Sequence, residues 1–527
     1  MRKLTAFVLA LCLMLTGCVQ VDFQGLFAGL GYYLLGTTTS FEDMSYESPD
    51  ITELKEVLLD AIDSLEDGNV DATMDVVYDF YRAYWQFYTA YSLAYIHYCQ
   101  DMTDNYWSRE YRLCLEDSTQ VDAALDELLY AIGASSMRQE LEQEDFFGEG
   151  FFDDYQGESI WDDTFTALME QENELINRYY TLSDGALEDG SSVSDDLQTL
   201  FVELVKVRRE LAAYLGYDSY VDFAYIYHYD RDYTPAMTRP YLEEIHRELV
   251  PLYRSQDRLG AYAKGEIACA EGEMLAFVRQ AVREMGGTAA QAFQVMEEAK
   301  VYDITYSDKK YDASFEIYIY NYDVPFVFVN PQGNQWDKLT LAHEFGHFAN
   351  DYTCMGSTAC VDVAEFFSQG MEYLTLSYGN PNKTLVQMKM VDSLLMTVEQ
   401  AAYAAFEHQV YDLPEEELNE QALRELFQAV CDDYGLDSWG IEGSSYVSIP
   451  HFFTHPLYVI SYVVSNDAAF QLYQLEQTQP GEGLKLYENH LDAEGAYFLE
   501  FLKEAGLEDP FAPGRIATVR KTLEEIL

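Results

Sequence analysis

The chain has 527 residues, of which 49% are hydrophobic and 15% aromatic, and it carries a formal net charge of −61. The length allows roughly two to four domains or one large enzyme, and the hydrophobic content is typical of a globular protein, which excludes intrinsic disorder. The strong negative charge argues against binding to DNA, RNA or anionic lipid, because phosphate groups would be repelled.

The N-terminus has the pattern of an export signal. Arg2 and Lys3 precede the apolar stretch 6–15, which is too short to span a bilayer alone but fits a secretory signal peptide. The letters LTGC at 15–18 resemble the site at which bacterial lipoproteins are cleaved and acylated. We therefore predict a lipoprotein signal peptide over 1–17 and lipidation of Cys18, which would hold an exported protein at the extracytoplasmic face of a cell membrane.

Residues 18–50 are predicted to form a tether, because 37–50 are mainly polar. The stretch 25–36 is unusually apolar for a tether, which keeps an ordinary signal peptide or an uncleaved anchor as an alternative. From residue 51 apolar residues recur at helical spacing, and we predict an N-terminal helical domain over 51–235. One predicted helix carries an aromatic stripe that we assign to the core: Phe80, Tyr84, Phe87, Tyr91 and Tyr95.

The cysteines do not form a metal-binding pattern. Apart from Cys18 and one cysteine inside the predicted signal, the chain has Cys99, Cys114, Cys269, Cys354, Cys360 and Cys431. Outside the cytoplasm, pairs such as Cys99–Cys114 or Cys354–Cys360 could form disulfides, although connectivity cannot be read from spacing. No CxxC pair is present, which argues against a zinc site built from cysteines.

The clearest strand signal lies in 311–333, which is rich in aromatic and β-branched residues. We predict a hairpin with strands at roughly 313–321 and 325–330. An extended peptide could add to the strand 325–330, or that strand could be purely structural. The hairpin belongs to the region 236–527, which we interpret as the catalytic domain, and helical patterns resume after it.

The motif HEFGH follows the hairpin within a stretch of good helix formers that ends before Gly356. His343 and His347 are four residues apart, so on a helix they share a face at about 6 Å and can meet one ion. Glu344 is rotated by about 100° from His343 and lies beside the ion, which suits a base for water at the metal. This spacing predicts a zinc site that lacks one protein ligand.

Two glutamates of the next predicted helix are candidates for the third ligand. If the chain reverses at about 353–361 and Asp362 caps the second helix, the two helices are antiparallel. Counting at about 1.5 Å per residue places Glu365 roughly 5 Å short of the metal and Glu372 roughly 6 Å beyond it. A glutamate side chain covers either distance, so spacing alone does not decide between them.

The two helices resemble those of the thimet oligopeptidase and oligoendopeptidase F family of zinc metallopeptidases. In that family the second helix carries the motif D-x-x-E-x-x-S-Q-x-x-E, and this chain has Asp362, Glu365, Ser368, Gln369 and Glu372 at that spacing. The resemblance implies that Glu365 is the third zinc ligand. It gives Glu372 the role of an outer carboxylate that orients a ligating histidine.

Two further segments, 208–225 and 448–469, resemble segments of the same family. The later one implies that His451 and Tyr458 lie over the active site, and Tyr462 is a further catalytic candidate. A phenol or an imidazole can donate a hydrogen bond to the oxyanion of a tetrahedral intermediate. The resemblance also implies a predominantly α-helical, zincin-type, neurolysin-like fold, with a deep central cleft and a small β-sheet next to the HExxH helix.

Together these observations predict a zinc endopeptidase with one Zn²⁺ per chain that cuts internal bonds of oligopeptides outside the cytoplasm. Glu344 would be the general base. Two alternatives remain open. One is a lipid-anchored peptide-binding protein with a vestigial zinc site, against which the intact set of ligands argues. The other is a zinc exopeptidase, for which the sequence offers no motif that would anchor a terminal amine.

Overall fold

The computed structural model describes residues 39–66, 68–144, 146–153, 155–157, 161–185, 193–255, 266–356, 360–493 and 495–527. The predicted signal peptide 1–17, Cys18 and the first part of the tether lie outside these residues. Within them, no helix combines the length and the apolar character that crossing a membrane requires.

Helices form most of the described chain, as the apolar spacing predicts. Those that precede the sheet are α1 (Ile51–Ser64), α2 (Val70–Gln100), α3 (Asn105–Ala134), α4 (Arg138–Leu141), α5 (Asp163–Gly185), α6 (Val193–Tyr214), α7 (Tyr220–Phe223), α8 (Pro235–Ser255), α9 (Glu271–Met285) and α10 (Gly287–Glu298). Asp50, Asn69 and Asp104 begin α1, α2 and α3, because their side chains accept hydrogen bonds from backbone N–H groups of the first turn.

The aromatic stripe of α2 lies in the core, which confirms its assignment. Phe80, Phe87, Tyr91 and Tyr95 are buried, and Tyr84 is half-buried. Burial of such large side chains is the main stabilising contribution of a helix this long.

The last part of the predicted tether, 39–50, packs against the same region. The ring of Phe41 lies 4.4 Å from that of Phe326, and the Tyr46 hydroxyl donates a hydrogen bond of 2.9 Å to Glu110. This segment therefore contacts both the N-terminal helices and the sheet.

The sheet has three strands, β1 (Tyr302–Asp303), β2 (Ser314–Ile319) and β3 (Val324–Val329), in the order β1-β3-β2. The predicted hairpin is confirmed, since β2 and β3 pair antiparallel along their whole length. β1 pairs parallel with β3 at Val327 and Phe328. Since β2 occupies one edge of β3 and β1 occupies part of the other, β3 has no free edge of full length to which a peptide could add.

The remaining helices are α11 (Trp336–Cys354), α12 (Val361–Thr375), α13 (Lys383–Asp412), α14 (Glu420–Tyr434), α15 (Pro450–Thr454), α16 (Val459–Thr478), α17 (Glu482–Asn489), α18 (Phe498–Ala505) and α19 (Arg515–Ile526). α12 packs against both α11 and α16, and every residue of α12 is buried. β2 and β3 pack on the other side of α11. The helix that carries HEFGH is thus enclosed between a sheet and a second helix.

The cysteines of the described chain are all buried, and none of them forms a disulfide bond. Neither Cys99–Cys114 nor Cys354–Cys360 is bridged. The Cys354 thiol instead donates to the carbonyl of Leu491 at 3.4 Å.

Candidate active site

His343 and His347 project from one face of α11, with ring centroids 5.0 Å apart. Glu365 of α12 faces them, and its Oε2 atom lies 3.6 Å from His343 Nε2 and 4.0 Å from His347 Nε2. The three ligand atoms lie within 4.8 Å of one another, which is the only such group of histidine, cysteine and carboxylate side chains among the described residues. The structure therefore places Glu365 in this group, whereas Glu372 is not part of it.

The donor set fits a zinc ion. Two imidazoles and one carboxylate, with a position left for water, are typical of catalytic zinc sites. His347 Nε2 is buried and has no hydrogen-bond partner, although a buried polar atom normally has one. A cation held by His343, His347 and Glu365 would satisfy this atom.

Glu372 lies behind His343 rather than beside the ligand atoms. Its Oε1 atom is 2.9 Å from His343 Nδ1, and its Oε2 atom is 2.7 Å from Lys389 Nζ. When the Nδ1–H group donates a hydrogen bond to Glu372, Nε2 keeps its lone pair and can act as the ligand atom. Burial alone would lower the pKa of His343, but the bond to Glu372 and the charge of Glu365 raise it to about 9.

Glu344 occupies a buried position next to the candidate ligands. Its side chain is 1% exposed, and its Oε2 atom has no hydrogen-bond partner. Burial raises the pKa of Glu344 well above its ordinary value, and the charges of Glu365 and Glu372 act in the same direction. A carboxylate with a raised pKa readily accepts a proton, which is the property that a general base needs.

The three residues expected from segment 448–469 form one aromatic cluster over the ligands. The Tyr458 hydroxyl donates a hydrogen bond of 2.7 Å to Glu365 Oε1. The Tyr462 hydroxyl lies 3.2 Å from His451 Nε2, and the rings of Tyr458 and Tyr462 are 5.1 Å apart. All three side chains are buried, so they present donor groups in a site with little bulk water.

The remaining polar residues of the D-x-x-E-x-x-S-Q-x-x-E segment hold Glu365 and its helix in place. The Ser368 hydroxyl donates to Glu365 Oε2 at 3.1 Å. The Gln369 amide donates to the carbonyl of Tyr462 at 3.3 Å, which joins α12 to α16. The Ser368 hydroxyl thus supports Glu365, and the Gln369 amide connects the two helices.

The prediction that Asp362 caps α12 is wrong. The N-cap residue of that helix is Cys360, and no side chain caps it. Asp362 is fully buried, accepts a hydrogen bond from the Tyr233 hydroxyl at 3.1 Å and lies 3.6 Å from Arg231 Nε. The carboxylate thus binds a distant segment instead of the start of its own helix.

Arg231 and Lys389 are the important buried charges that the sequence did not reveal. The Arg231 guanidinium lies 4.5 Å and 4.3 Å from the ring centroids of Tyr225 and Tyr229, where it makes cation–π contacts. The stretch YIYHYDRDY, with one arginine among four tyrosines, was the available signal for the first. Nothing around Lys389 distinguishes it from a surface lysine.

Comparison with known families gives two matches along the chain. The model of the Peptidase M3 N-terminal domain matches residues 41–158, and the model of Peptidase family M3 matches residues 289–519. The second range contains all the ligand and catalytic candidates described above. No curated protein sequence matches the chain.

Solved structures share the fold. Pz peptidase A with an inhibitor superposes with a TM-score of 0.80 at 20% identity. A protein described as an oligoendopeptidase F superposes at 0.78, and another so described, from Bacillus anthracis, at 0.77, each at 22% identity. Each comparison covers 92% of this chain and 98% of the other. The predicted fold class, predominantly helical with a small sheet next to the HExxH helix, is thereby confirmed.

Proposed function

Since the chain belongs to peptidase family M3 and is a metallopeptidase, we propose that it is a zinc-dependent endopeptidase with one zinc ion per chain. Its substrates are oligopeptides, which it cuts at internal bonds outside the cytoplasm. The observation that carries the proposal is the group of His343, His347 and Glu365, whose ligand atoms lie within 4.8 Å of one another. Glu344 is buried beside this group.

Glu344 is the residue that moves protons in this proposal. A zinc ion held by the three ligands would supply Lewis acidity, which acidifies water and polarises the carbonyl of a peptide bond. The buried Glu344 carboxylate takes a proton from the attacking water and delivers it to the leaving nitrogen. Its Oε2 atom has no other hydrogen-bond partner, so it is available for this transfer.

Tyr458, Tyr462 and His451 are the proposed donors to the oxyanion. A donor aimed at developing charge in a dry site contributes more than it would in water. The Tyr458 hydroxyl donates to Glu365 Oε1 at 2.7 Å, next to the proposed ligands, and would turn its single O–H from this oxygen to the oxyanion. His451 holds the Tyr462 hydroxyl at 3.2 Å and thereby orients it.

The location of the enzyme is proposed from the N-terminal sequence. Residues 1–17 have the basic and apolar regions of a signal peptide, and the cysteine of LTGC is Cys18. Acylation of Cys18 would attach the enzyme to the extracytoplasmic face of a cell membrane.

The direct test is the substitution Glu344→Gln. We expect the purified variant to bind one zinc per chain, as the wild type does, because Glu344 is not among the ligand atoms. Its cleavage of a mixed peptide library, read by mass spectrometry, should fall by about 10²–10⁴-fold, which is the usual contribution of general base catalysis. Glu416→Gln, at an exposed position, is the matched control and should cleave normally.

Two results would contradict the proposal. Wild-type protein without stoichiometric divalent metal would exclude the zinc site, and unchanged cleavage by Glu344→Gln would exclude the base. Peptides with acetylated and amidated ends separate endopeptidase from exopeptidase activity, because an enzyme that needs a free terminus would spare them. A wild type that binds peptides without cutting any of them would instead indicate a peptide-binding protein.

A further inference from the structure

Lys389 is a buried lysine behind the proposed zinc site. It lies in the second turn of α13, and its side chain is 2% exposed. Its ammonium is 2.7 Å from Glu372 Oε2, 3.4 Å from Asp392 Oδ2 and 5.0 Å from the ring centroid of Tyr373. The reaction proposed above gives it no role, yet an ammonium is rarely this buried.

Charged and polar groups in direct contact connect Lys389 through Glu372 to His343, one of the proposed ligands. The two carboxylate oxygens of Glu372 have different partners, since Oε2 contacts Lys389 Nζ and Oε1 contacts His343 Nδ1. Each partner is a donor, so the carboxylate is held at both ends in one orientation. Burial opposes the charge on Lys389, but Glu372 and Asp392 outweigh it and raise the pKa of the lysine.

We propose that Lys389 is a positioning residue of the metal centre that acts through Glu372. Its ammonium anchors Glu372 Oε2, which leaves Oε1 to accept the Nδ1 proton of His343 and presents His343 Nε2 to the metal. Without the ammonium, the buried oxygen loses its partner, and the carboxylate is no longer held toward the imidazole. The inference rests on the zinc site proposed for His343, His347 and Glu365.

The test measures zinc affinity rather than activity. For Lys389→Met we expect a zinc dissociation constant about 10–100-fold larger than that of the wild type, which is the usual loss when an outer partner of a metal ligand is removed. The measurement is competition with a chromogenic chelator at constant pH. A lysine that was only structural would change thermal stability and leave zinc affinity unchanged.

A second variant shows whether the effect passes through Glu372. If it does, the double variant Lys389→Met/Glu372→Gln should have a zinc dissociation constant less than twofold larger than that of Glu372→Gln alone, because the two residues act as a unit. Lys310→Met is the matched control. Lys310 is 3% exposed and pairs with Asp303 at 2.9 Å, outside the group of ligands, so its loss should affect stability and leave zinc affinity intact.

The outcomes separate this inference from the proposed function. If the wild type binds zinc and the zinc dissociation constant of Lys389→Met is within twofold of the wild-type value, the inference is wrong and the proposed function stands. If the wild type binds no zinc, the proposed function itself fails. Should Lys389→Met not fold, Lys389→Gln takes its place. Its amide is neutral and one bond shorter than the ammonium, so it should hold Glu372 less firmly and also weaken zinc binding. Additive losses in the double variant would also overturn the inference.

Discussion

The backbone at Leu457 fixes Tyr458, the proposed oxyanion donor. Its φ angle is 66°, a left-handed value that a leucine rarely adopts. The Leu457 N–H donates to Glu407 Oε1 at 2.6 Å, and its carbonyl accepts from Arg231 Nη2 at 3.0 Å. These two bonds, from opposite sides, hold the unusual backbone and so fix the next residue, Tyr458, over Glu365.

Glu407 should make the stability of the protein depend on pH. Burial raises the pKa of Glu407 to about 8, although the bond from Leu457 and the charges of Arg208 and Arg231 oppose this. The folded protein therefore binds a proton that the unfolded chain releases near its ordinary pKa of 4.5. The stability associated with this proton is present below pH 4.5 and is lost as the pH rises toward 8, by at most about 1.4 kcal/mol per pH unit.

The variant Glu407→Gln isolates this contribution, because an amide does not titrate. We expect its melting temperature, relative to that of the wild type, to increase between pH 5 and pH 8 in thermal unfolding monitored by circular dichroism. Glu416→Gln, at an exposed position, removes the same charge and should not show the trend. Parallel pH profiles for the wild type and Glu407→Gln would show that Glu407 is already ionised in the folded protein.

At the level of single residues, the sequence predicted which side chains could bind the metal better than it predicted the tertiary contacts of those side chains. The i, i+4 histidines identified two ligand candidates, but helix arithmetic could not choose between Glu365 and Glu372, because side-chain reach exceeded the difference. The choice came from a resemblance in sequence. Lys389 and Glu407 could not be identified, because only the tertiary fold brings them to Glu372 and Leu457. For Arg231 the neighbouring tyrosines were a local signal, but they did not reveal its partner Asp362.

Between α11 and α12, Gly346 sets how closely the helices approach. A Cβ atom there would lie 2.5 Å from Ser368 Cα and 2.6 Å from the Phe367 carbonyl oxygen, distances that real Cβ atoms do not tolerate. Both neighbours are backbone atoms, so the helices would have to move apart. Because His343 and His347 are on one helix and Glu365 is on the other, this contact also determines the spacing of the three proposed ligands.

Gly346→Ala should therefore reduce both stability and zinc affinity. We expect a loss of roughly 1–3 kcal/mol in the free energy of unfolding, which is typical of overpacking, measured by chemical denaturation. Gly272→Ala in α9 is the control, since nothing lies within 4 Å of its Cβ position. It should leave stability unchanged or raise it by up to about 1 kcal/mol. If Gly346→Ala has the same stability and zinc affinity as the wild type, the two helices do not approach as closely as described.

Elements with strong local signals were the predictable ones. The hairpin was recognised because aromatic and β-branched residues interrupt the helical period in 311–333, and α11 because good helix formers surround HEFGH. The pairing of β1 with β3 was missed, because two residues carry no periodic signal. The cap assigned to Asp362 was wrong because Arg231 and Tyr233, which the local sequence does not show, compete for that carboxylate.

On the scale of the whole molecule, the net charge bears on the proposed attachment to a membrane. With 92 acidic against 31 basic residues, the folded chain should be repelled by anionic lipids rather than attracted to them. Attachment would then depend entirely on acyl chains at Cys18, which lies outside the described residues.

This dependence predicts the effect of Cys18→Ser. We expect the wild type in the membrane fraction of producing cells and the variant in the soluble fraction or the medium, as judged by fractionation and immunoblotting. Cys12→Ser alters the other cysteine of the predicted signal and should leave the protein at the membrane. Membrane attachment of Cys18→Ser that resists high salt would instead favour an uncleaved anchor.

The overall architecture was predictable because long helices and one local hairpin have strong periodic signals. Membership of peptidase family M3 was visible in α11 and α12, because the candidate ligands and the residues that hold them occur there at close spacing. The order of the strands and the enclosure of α11 between the sheet and α12 depend on long-range packing, and no local pattern encodes them.

The six buried cysteines of the described chain can be used to measure local opening of the folded protein. Alkylating reagents attack thiolates that they can reach, whereas burial shields Cys99 and Cys360 and raises the pKa of both thiols. Labelling at either position requires the surrounding helices to separate first. Cys99 lies in α2 and Cys360 begins the helix of Glu365. Their alkylation rates therefore compare the local opening of the N-terminal helices with that of the Glu365 helix, without any engineered cysteine.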